Sequence, residues 1–179
     1  MTDPLQEHLG YGVNLRQAEI DRAKELGIHP MALVQEGIVL RHKVVFDRRR
    51  FEFARHRGSD DMVSALVVPA RGQYGEFVDL VAWRPPDSLG SWLGHVGLLG
   101  EDQVLGPRFG PLAVHANVLD WLRADRVGVV VVDMIRAAPL LRDASKLLVA
   151  TVEHGQVLRK ALTLPAPQIL VGLPEAFAA

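Results

Sequence analysis

Four polar residues directly follow apolar segments in the last third of the chain: His115, Asp133, Glu153 and His154. Imidazoles and carboxylates are ligands of divalent metal ions, and both also act as general acids and bases. If the apolar segments are parallel strands, their carboxyl ends meet at one edge of a sheet, where ligands gather. One interpretation is therefore a metal-dependent enzyme that acts on phosphate esters and holds Mg²⁺ or Mn²⁺ with these side chains.

Helix capping is the competing interpretation of the same residues. Asp133 stands directly before a segment with helical character, and Glu153 stands where another helix is predicted to begin. A carboxylate at a helix start accepts hydrogen bonds from free backbone N–H groups and is favoured by the helix dipole. This interpretation requires no ligand, and the sequence leaves both open.

A second candidate site is the basic stretch over residues 41–57, where seven Lys and Arg residues face only Asp47 and Glu52. Cations neutralise phosphates, and aromatic rings among them offer stacking surfaces for bases. Strand alternation, however, turns Phe51 and Phe53 inward and leaves the cations outside. The predicted nucleic-acid contacts are Arg48, Arg49, Arg50, Arg55 and Arg57; a solvated hairpin tip is the alternative.

The elements that would carry these residues are predicted from periodicity as an α/β fold in three parts. Residues 1–40 form a helical lead, in which Asn14 caps a helix that ends at Gly27. Residues 41–110 form a small antiparallel sheet lobe with strands at 43–46, 51–55, 63–69 and 76–84. Residues 111–179 alternate between strands and helices, with strands at 111–115, 127–132, 146–151 and 168–171. That alternation is typical of a parallel sheet with crossover helices.

Composition excludes several classes of protein. The chain has 179 residues, of which 49% are hydrophobic and 23% charged, with no cysteine and a net charge of −1. This is the composition of one compact folded unit without disulfides, thiolate zinc ligands or a cysteine nucleophile. No apolar run approaches the ~20 residues of a spanning helix, and the first residues lack signal-peptide character. We therefore expect a cytoplasmic protein without a membrane partner.

Five short segments together indicate a family. They are Glu25-Leu26-Gly27-Ile28, residues 65–69, residues 75–80, residues 111–114 and residues 146–150, followed by Arg159-Lys160-Ala161. In their order and spacing they resemble the primase-associated Toprim region of phage- and plasmid-type DNA primases. The resemblance implies that the last third of the chain is a Toprim-like parallel sheet.

The acidic residues of that family are missing here. The family's glutamate would fall near Ala116, and its paired aspartates would fall on or about Val152 and His154, with Glu153 as the carboxylate nearby. Those acids hold Mg²⁺ against phosphate oxygens. The resemblance therefore implies a degenerate domain that is catalytically silent and needs no cofactor.

The resulting prediction is a non-catalytic, nucleic-acid-associated accessory protein from the replication module of a mobile element. This prediction also allows a protein partner. The metal-dependent enzyme described above is one alternative. Another is a homo-oligomeric protein-binding module, favoured if the glycine-rich residues 88–110 lie at a subunit contact. The sequence leaves the oligomeric state open.

Overall fold

The structure is a computed structural model that describes residues 3–34, 37–55, 60–85, 88–106 and 110–163. Within those ranges, no helix combines the length and the apolar character needed to cross a membrane. The chain begins with three helices: α1 (Pro4–Tyr11), α2 (Gln17–Glu25) and α3 (Met31–Val34).

The start of α2 differs from the prediction. The helix follows Arg16, whose backbone N–H donates to Glu19 Oε2 at 2.7 Å, so Asn14 is not its cap. The carboxylate of Glu19 satisfies this N–H group and moves the helix start toward the C-terminus. Gly27 ends the helix as predicted, with φ at 81°.

Five strands close into a barrel: β1 (Leu40–Asp47), β2 (Arg50–Phe53), β3 (Val63–Arg71), β4 (Phe77–Arg84) and β5 (Ser88–Ser91). Their order around the barrel is β1-β2-β5-β4-β3, and the closing pair of β2 and β5 is parallel. The prediction of a small antiparallel sheet did not include this closure into a barrel, since β5 was missed in a glycine-rich segment. Gly90 explains the close approach, because a Cβ there would lie 2.9 Å from the carbonyl of Arg50.

The barrel interior confirms the predicted alternation in β2. Phe51 and Phe53 are each 1% exposed and pack edge to face with ring centroids 5.3 Å apart. Around them lie the small and branched side chains Val44, Ala65, Val67, Leu80 and Ala82. Burial of this apolar set leaves the charged residues of the β1–β2 turn on the outside.

The second sheet is formed by β6 (Leu98–Leu99), β7 (Leu112–His115), β8 (Val129–Val131) and β9 (Leu147–Leu148) in the order β6-β8-β7-β9. The β7–β8 and β7–β9 pairs are parallel, as predicted, whereas β6 pairs antiparallel with β8. The helices of this part are α4 (Asp102–Leu105), α5 (Val118–Arg123), α6 (Met134–Asp143) and α7 (Val152–Leu162). The predicted strand at 168–171 lies outside the described residues.

One hydrophobic core joins the barrel to the second sheet. It contains Leu33 of α3, Val68 and Trp83 of the barrel, Trp121 of α5 and Val130 of β8. This shared core fixes the β1–β2 turn relative to the start of α6. The division into parts at 1–40, 41–110 and 111–179 stays a prediction, although β6 of the second sheet falls in the middle part.

Candidate nucleic-acid interface

The turn between β1 and β2 places three consecutive arginines on the surface. Asp47 pairs with Arg50 across the hairpin, and Arg48 has the left-handed φ of 53° that this tight turn requires. Residues 47–50 line an open cleft of about 600 Å³, and all four are exposed. The structure therefore brings Arg48, Arg49 and Arg50 together, as the sequence predicted.

Arg50 is held in place by the segment that follows β5. Its Nε and Nη2 atoms both donate to the backbone oxygen of Trp92, at 3.1 and 2.6 Å. Its guanidinium also lies against Gly94, which has φ at 69° and where a Cβ would collide with Nη1. Because this exposed cation is already ordered, an anion that binds it would not have to immobilise the side chain.

Asp79 of β4 holds that segment from inside the protein. Its carboxylate is fully buried, and Oδ1 accepts from the N–H groups of Leu80 and Leu93, each at 2.8 Å. Oδ2 accepts from the N–H of His95 at 2.7 Å. Asp79 thereby positions the carbonyl that binds Arg50. Sequence reasoning missed it, although a carboxylate within the apolar strand over residues 77–81 was a usable signal.

Arg49 extends the basic turn toward the second sheet. Its Nη1 lies 3.3 Å from Asp133 Oδ1, while its side chain remains 61% exposed. The same Asp133 oxygen accepts from the N–H of Ile135 at 2.9 Å and so caps α6. Asp133 thus serves as the helix cap that the competing interpretation predicted.

Arg55 lies apart from the turn, at the opposite end of β2. Its guanidinium stacks on the rings of Tyr11, 3.8 Å from the centroid, and Phe53, 4.5 Å from the centroid. It also forms an ion pair with Glu7, and burial lowers its pKa. These contacts fasten α1 to the barrel. Arg57 lies outside the described residues, so the structure places three of the five predicted arginines at one site.

Of the four predicted metal ligands, the structure brings two near each other. His115 ends β7, with Nε2 2.8 Å from the oxygen of Val127, and His154 lies in the first turn of α7. Burial first, and then the neighbouring His115, lower the pKa of His154. Glu153 is exposed, and Asp133 faces Arg49.

The strand order explains why these ligands do not gather. β7 lies between β8 and β9, so the residues that follow β8 and β9 are separated by about two strand spacings, or ~9.6 Å. Among the residues that the structure describes, no three His, Asp or Glu side chains form a group that could hold a metal ion.

Comparison with known proteins leaves the family unassigned. No protein-family model matches the chain, and no curated protein matches it. The chain is distantly similar to the crystal structure of the primase fragment of the Bacteriophage T7 primase-helicase protein. The TM-score is 0.47 with 15% sequence identity, over 92% of this chain and 70% of the phage chain. A likeness of this size assigns no function to the chain.

Proposed function

We propose that this protein is a non-catalytic accessory that binds the phosphate backbone of a nucleic acid through the β1–β2 turn. The observation that carries the proposal is the row of Arg48, Arg49 and Arg50 on an open cleft, with Arg50 fixed on the Trp92 carbonyl by two hydrogen bonds. Because Nε and Nη2 of Arg50 donate to that carbonyl, Nη1 is the group left for phosphate, whereas Arg48 can bind phosphate through two parallel N–H groups.

The local charge supports the same function. Three arginines of the turn stand against Asp47 and Asp133, which leaves an excess of positive charge at the cleft. The Asp133 oxygen that meets Arg49 also caps α6, and the Arg49 side chain remains 61% exposed. An exposed cationic excess of this kind attracts a polyanion over roughly 8 Å at physiological ionic strength.

The non-catalytic part of the proposal rests on the ends of the second sheet. Ala116 directly follows β7, and Val152 begins α7 after β9. These are the positions where the resemblance to Toprim regions expects acids, and neither side chain can bind Mg²⁺. A degenerate Toprim-like scaffold, of the kind expected beside a replication protein of a mobile element, is consistent with these residues.

The test is binding of labelled DNA and RNA by fluorescence anisotropy between about 50 and 200 mM salt. The double variant R48A/R49A removes two candidate phosphate contacts. We expect weaker binding and a salt dependence whose logarithmic slope falls by up to about 1.8 on duplex DNA, at ~0.9 for each contact.

The matched control is R22A/K24A, which removes the same charge from exposed positions on α2. It should leave both the affinity and the salt slope nearly unchanged. The proposal fails if the parent protein does not bind nucleic acid at ~50 mM salt, or if the two double variants lose affinity equally.

The two alternative functions stay predictions. If the protein is a metal-dependent enzyme, added Mn²⁺ or Mg²⁺ should raise its melting temperature, and the substitution His115→Ala should abolish that rise.

The oligomeric binding module would use residues 88–110, in which β5 closes the barrel and β6 joins the second sheet. Sedimentation of the protein at two concentrations would show whether it forms oligomers.

A further inference from the structure

A second basic cleft lies at the other end of β1, between the start of α2 and strands β1 and β3. Its volume is about 290 Å³, at the lower end of the range for small-molecule sites. The residues that line it are Val13, Arg16, Arg41, His42, Lys43 and Ser64. This cleft is separate from the β1–β2 turn, and the ligand proposed for it does not depend on the function proposed for the turn.

The walls of this cleft are held by backbone contacts. Val13 and Arg41 exchange two N–H to carbonyl hydrogen bonds, each 2.9 Å long, so the chain before α2 runs against β1. Gly12 permits this approach, because a Cβ there would lie 2.8 Å from His42 Nε2. The contact of this segment with β1 therefore sets the shape of the cleft.

The charges around the cleft do not cancel. Arg16, Arg41 and Lys43 are positive, and the carboxylate that meets them is Glu19. One oxygen of Glu19 accepts from Arg41 Nη1 at 2.9 Å, and the other from the backbone N–H of Arg16 at 2.7 Å. In the described part of the chain, neither the Arg16 nor the Lys43 side chain has a carboxylate within ion-pair distance.

Apart from Glu19, the charged groups at this cleft favour an anion. Lys43 and Ser64 are paired residues of β1 and β3, so an ammonium group and a hydroxyl group leave the barrel side by side. Both are exposed, as is Arg16 on the opposite wall. The buried His42 at the floor adds no charge near neutral pH, because burial and the charge of His8 lower its pKa to about 4.

We propose that this cleft binds a phosphate monoester dianion, with Arg16, Lys43 and Ser64 as its hydrogen-bond donors and Arg41 positioned by Glu19. A dianion would offset the two unbalanced positive charges, which like-charge repulsion otherwise makes unfavourable. The same phosphate group could belong to a free nucleotide or to the 5′ end of a nucleic-acid strand.

The proposal is tested by titrating inorganic phosphate, and then AMP, into isotope-labelled protein and following backbone amide resonances. We expect changes that saturate at Val13, Lys43 and Ser64. The double variant R16A/K43A should bind phosphate about tenfold or more weakly, since two charge-assisted hydrogen bonds are lost. R159A/K160A, which removes two exposed charges from α7, should bind it as the parent protein does.

Two results would overturn the proposal: no saturating change at the cleft up to ~50 mM phosphate, or equal weakening by both double variants. R48A/R49A separates the two sites, because it should keep the phosphate response even if it loses nucleic-acid binding. If the turn of the parent protein binds no nucleic acid, the phosphate response of the cleft should still be present. Tighter binding of a 5′-phosphorylated oligonucleotide than of AMP would support a strand end as the source, and tighter binding of AMP would support a nucleotide.

Discussion

A buried pair of histidines connects α1 to the barrel and should make the stability of the protein depend on pH. His8 is fully buried and His42 is 4% exposed. His8 Nε2 lies 2.8 Å from the oxygen of Ile38, so it must donate, and its Nδ1 is left as an acceptor. His42 Nε2 therefore donates to His8 Nδ1 across 3.1 Å. The bond between the two rings requires His8 to be neutral, and burial disfavours the charged form of His42.

The magnitude follows from the pKa of His42. Burial, and secondly the charge of His8, lower this pKa from 6.5 to about 4. Because the unfolded chain binds the proton more readily, the contribution to stability is complete above pH 6.5 and is lost as the pH falls toward 4. At about 1.4 kcal/mol for each pKa unit, the loss is about 3 kcal/mol. The pKa of His8 is lowered in the same direction by burial, which adds to the loss.

The measurement is urea unfolding followed by tryptophan fluorescence between pH 7 and pH 4. In the variant His42→Gln, the amide can still donate to His8 but cannot ionise. Its free energy of unfolding should fall by about 3 kcal/mol less than that of the parent protein over this range. Other titrating groups, including the carboxylates, are common to both proteins and cancel in the comparison.

The control is His95→Gln, which changes an exposed imidazole and should follow the parent protein at every pH. If His42→Gln loses stability with acid as steeply as the parent protein, the buried neutral pair is not the source of the pH dependence.

Three further substitutions test other parts of the structure. Asp79→Asn should lower the free energy of unfolding in urea by about 2–3 kcal/mol, because an amide nitrogen would face backbone N–H groups; an unchanged free energy of unfolding would contradict this. Phe51→Ala should cost about 3–5 kcal/mol in urea unfolding, since the ring is 1% exposed in the barrel core. Glu101→Gln should stabilise the protein relative to the parent as the pH rises above 4.5, because burial raises the pKa of this carboxyl; a thermal melt series checks it.

Much of the local structure could be predicted because it depends on patterns among residues that are close in sequence. The alternation around Phe51 and Phe53 predicted their burial, and the valine run at β8 predicted a strand within a parallel sheet. Asn117 begins α5 by accepting from the N–H of Asp120 at 2.9 Å, a contact between residues three positions apart. Each of these depends on residues within a few positions of one another.

The candidate site could be predicted only in part. The basic turn was visible as three adjacent arginines, but the sequence could not show that Arg55 stacks on Tyr11 and leaves that surface. Nor could it show that Asp133 faces Arg49, 84 residues away, and not His115. Those choices depend on strand order, which places β7 between the two strands whose ends were predicted to converge.

By itself, the sequence determined most of the strands, the inward positions of Phe51 and Phe53, and where positive charge is concentrated, although it missed β5 and the start of α2. Only the tertiary structure decided that β5 closes a barrel, that the carbonyl of Trp92 fixes Arg50 from 42 residues away, and that a second cationic cleft forms beside α2. The physical reason is that periodicity records whether a residue is buried. The identity of its distant neighbours is set by how whole elements pack against a shared core.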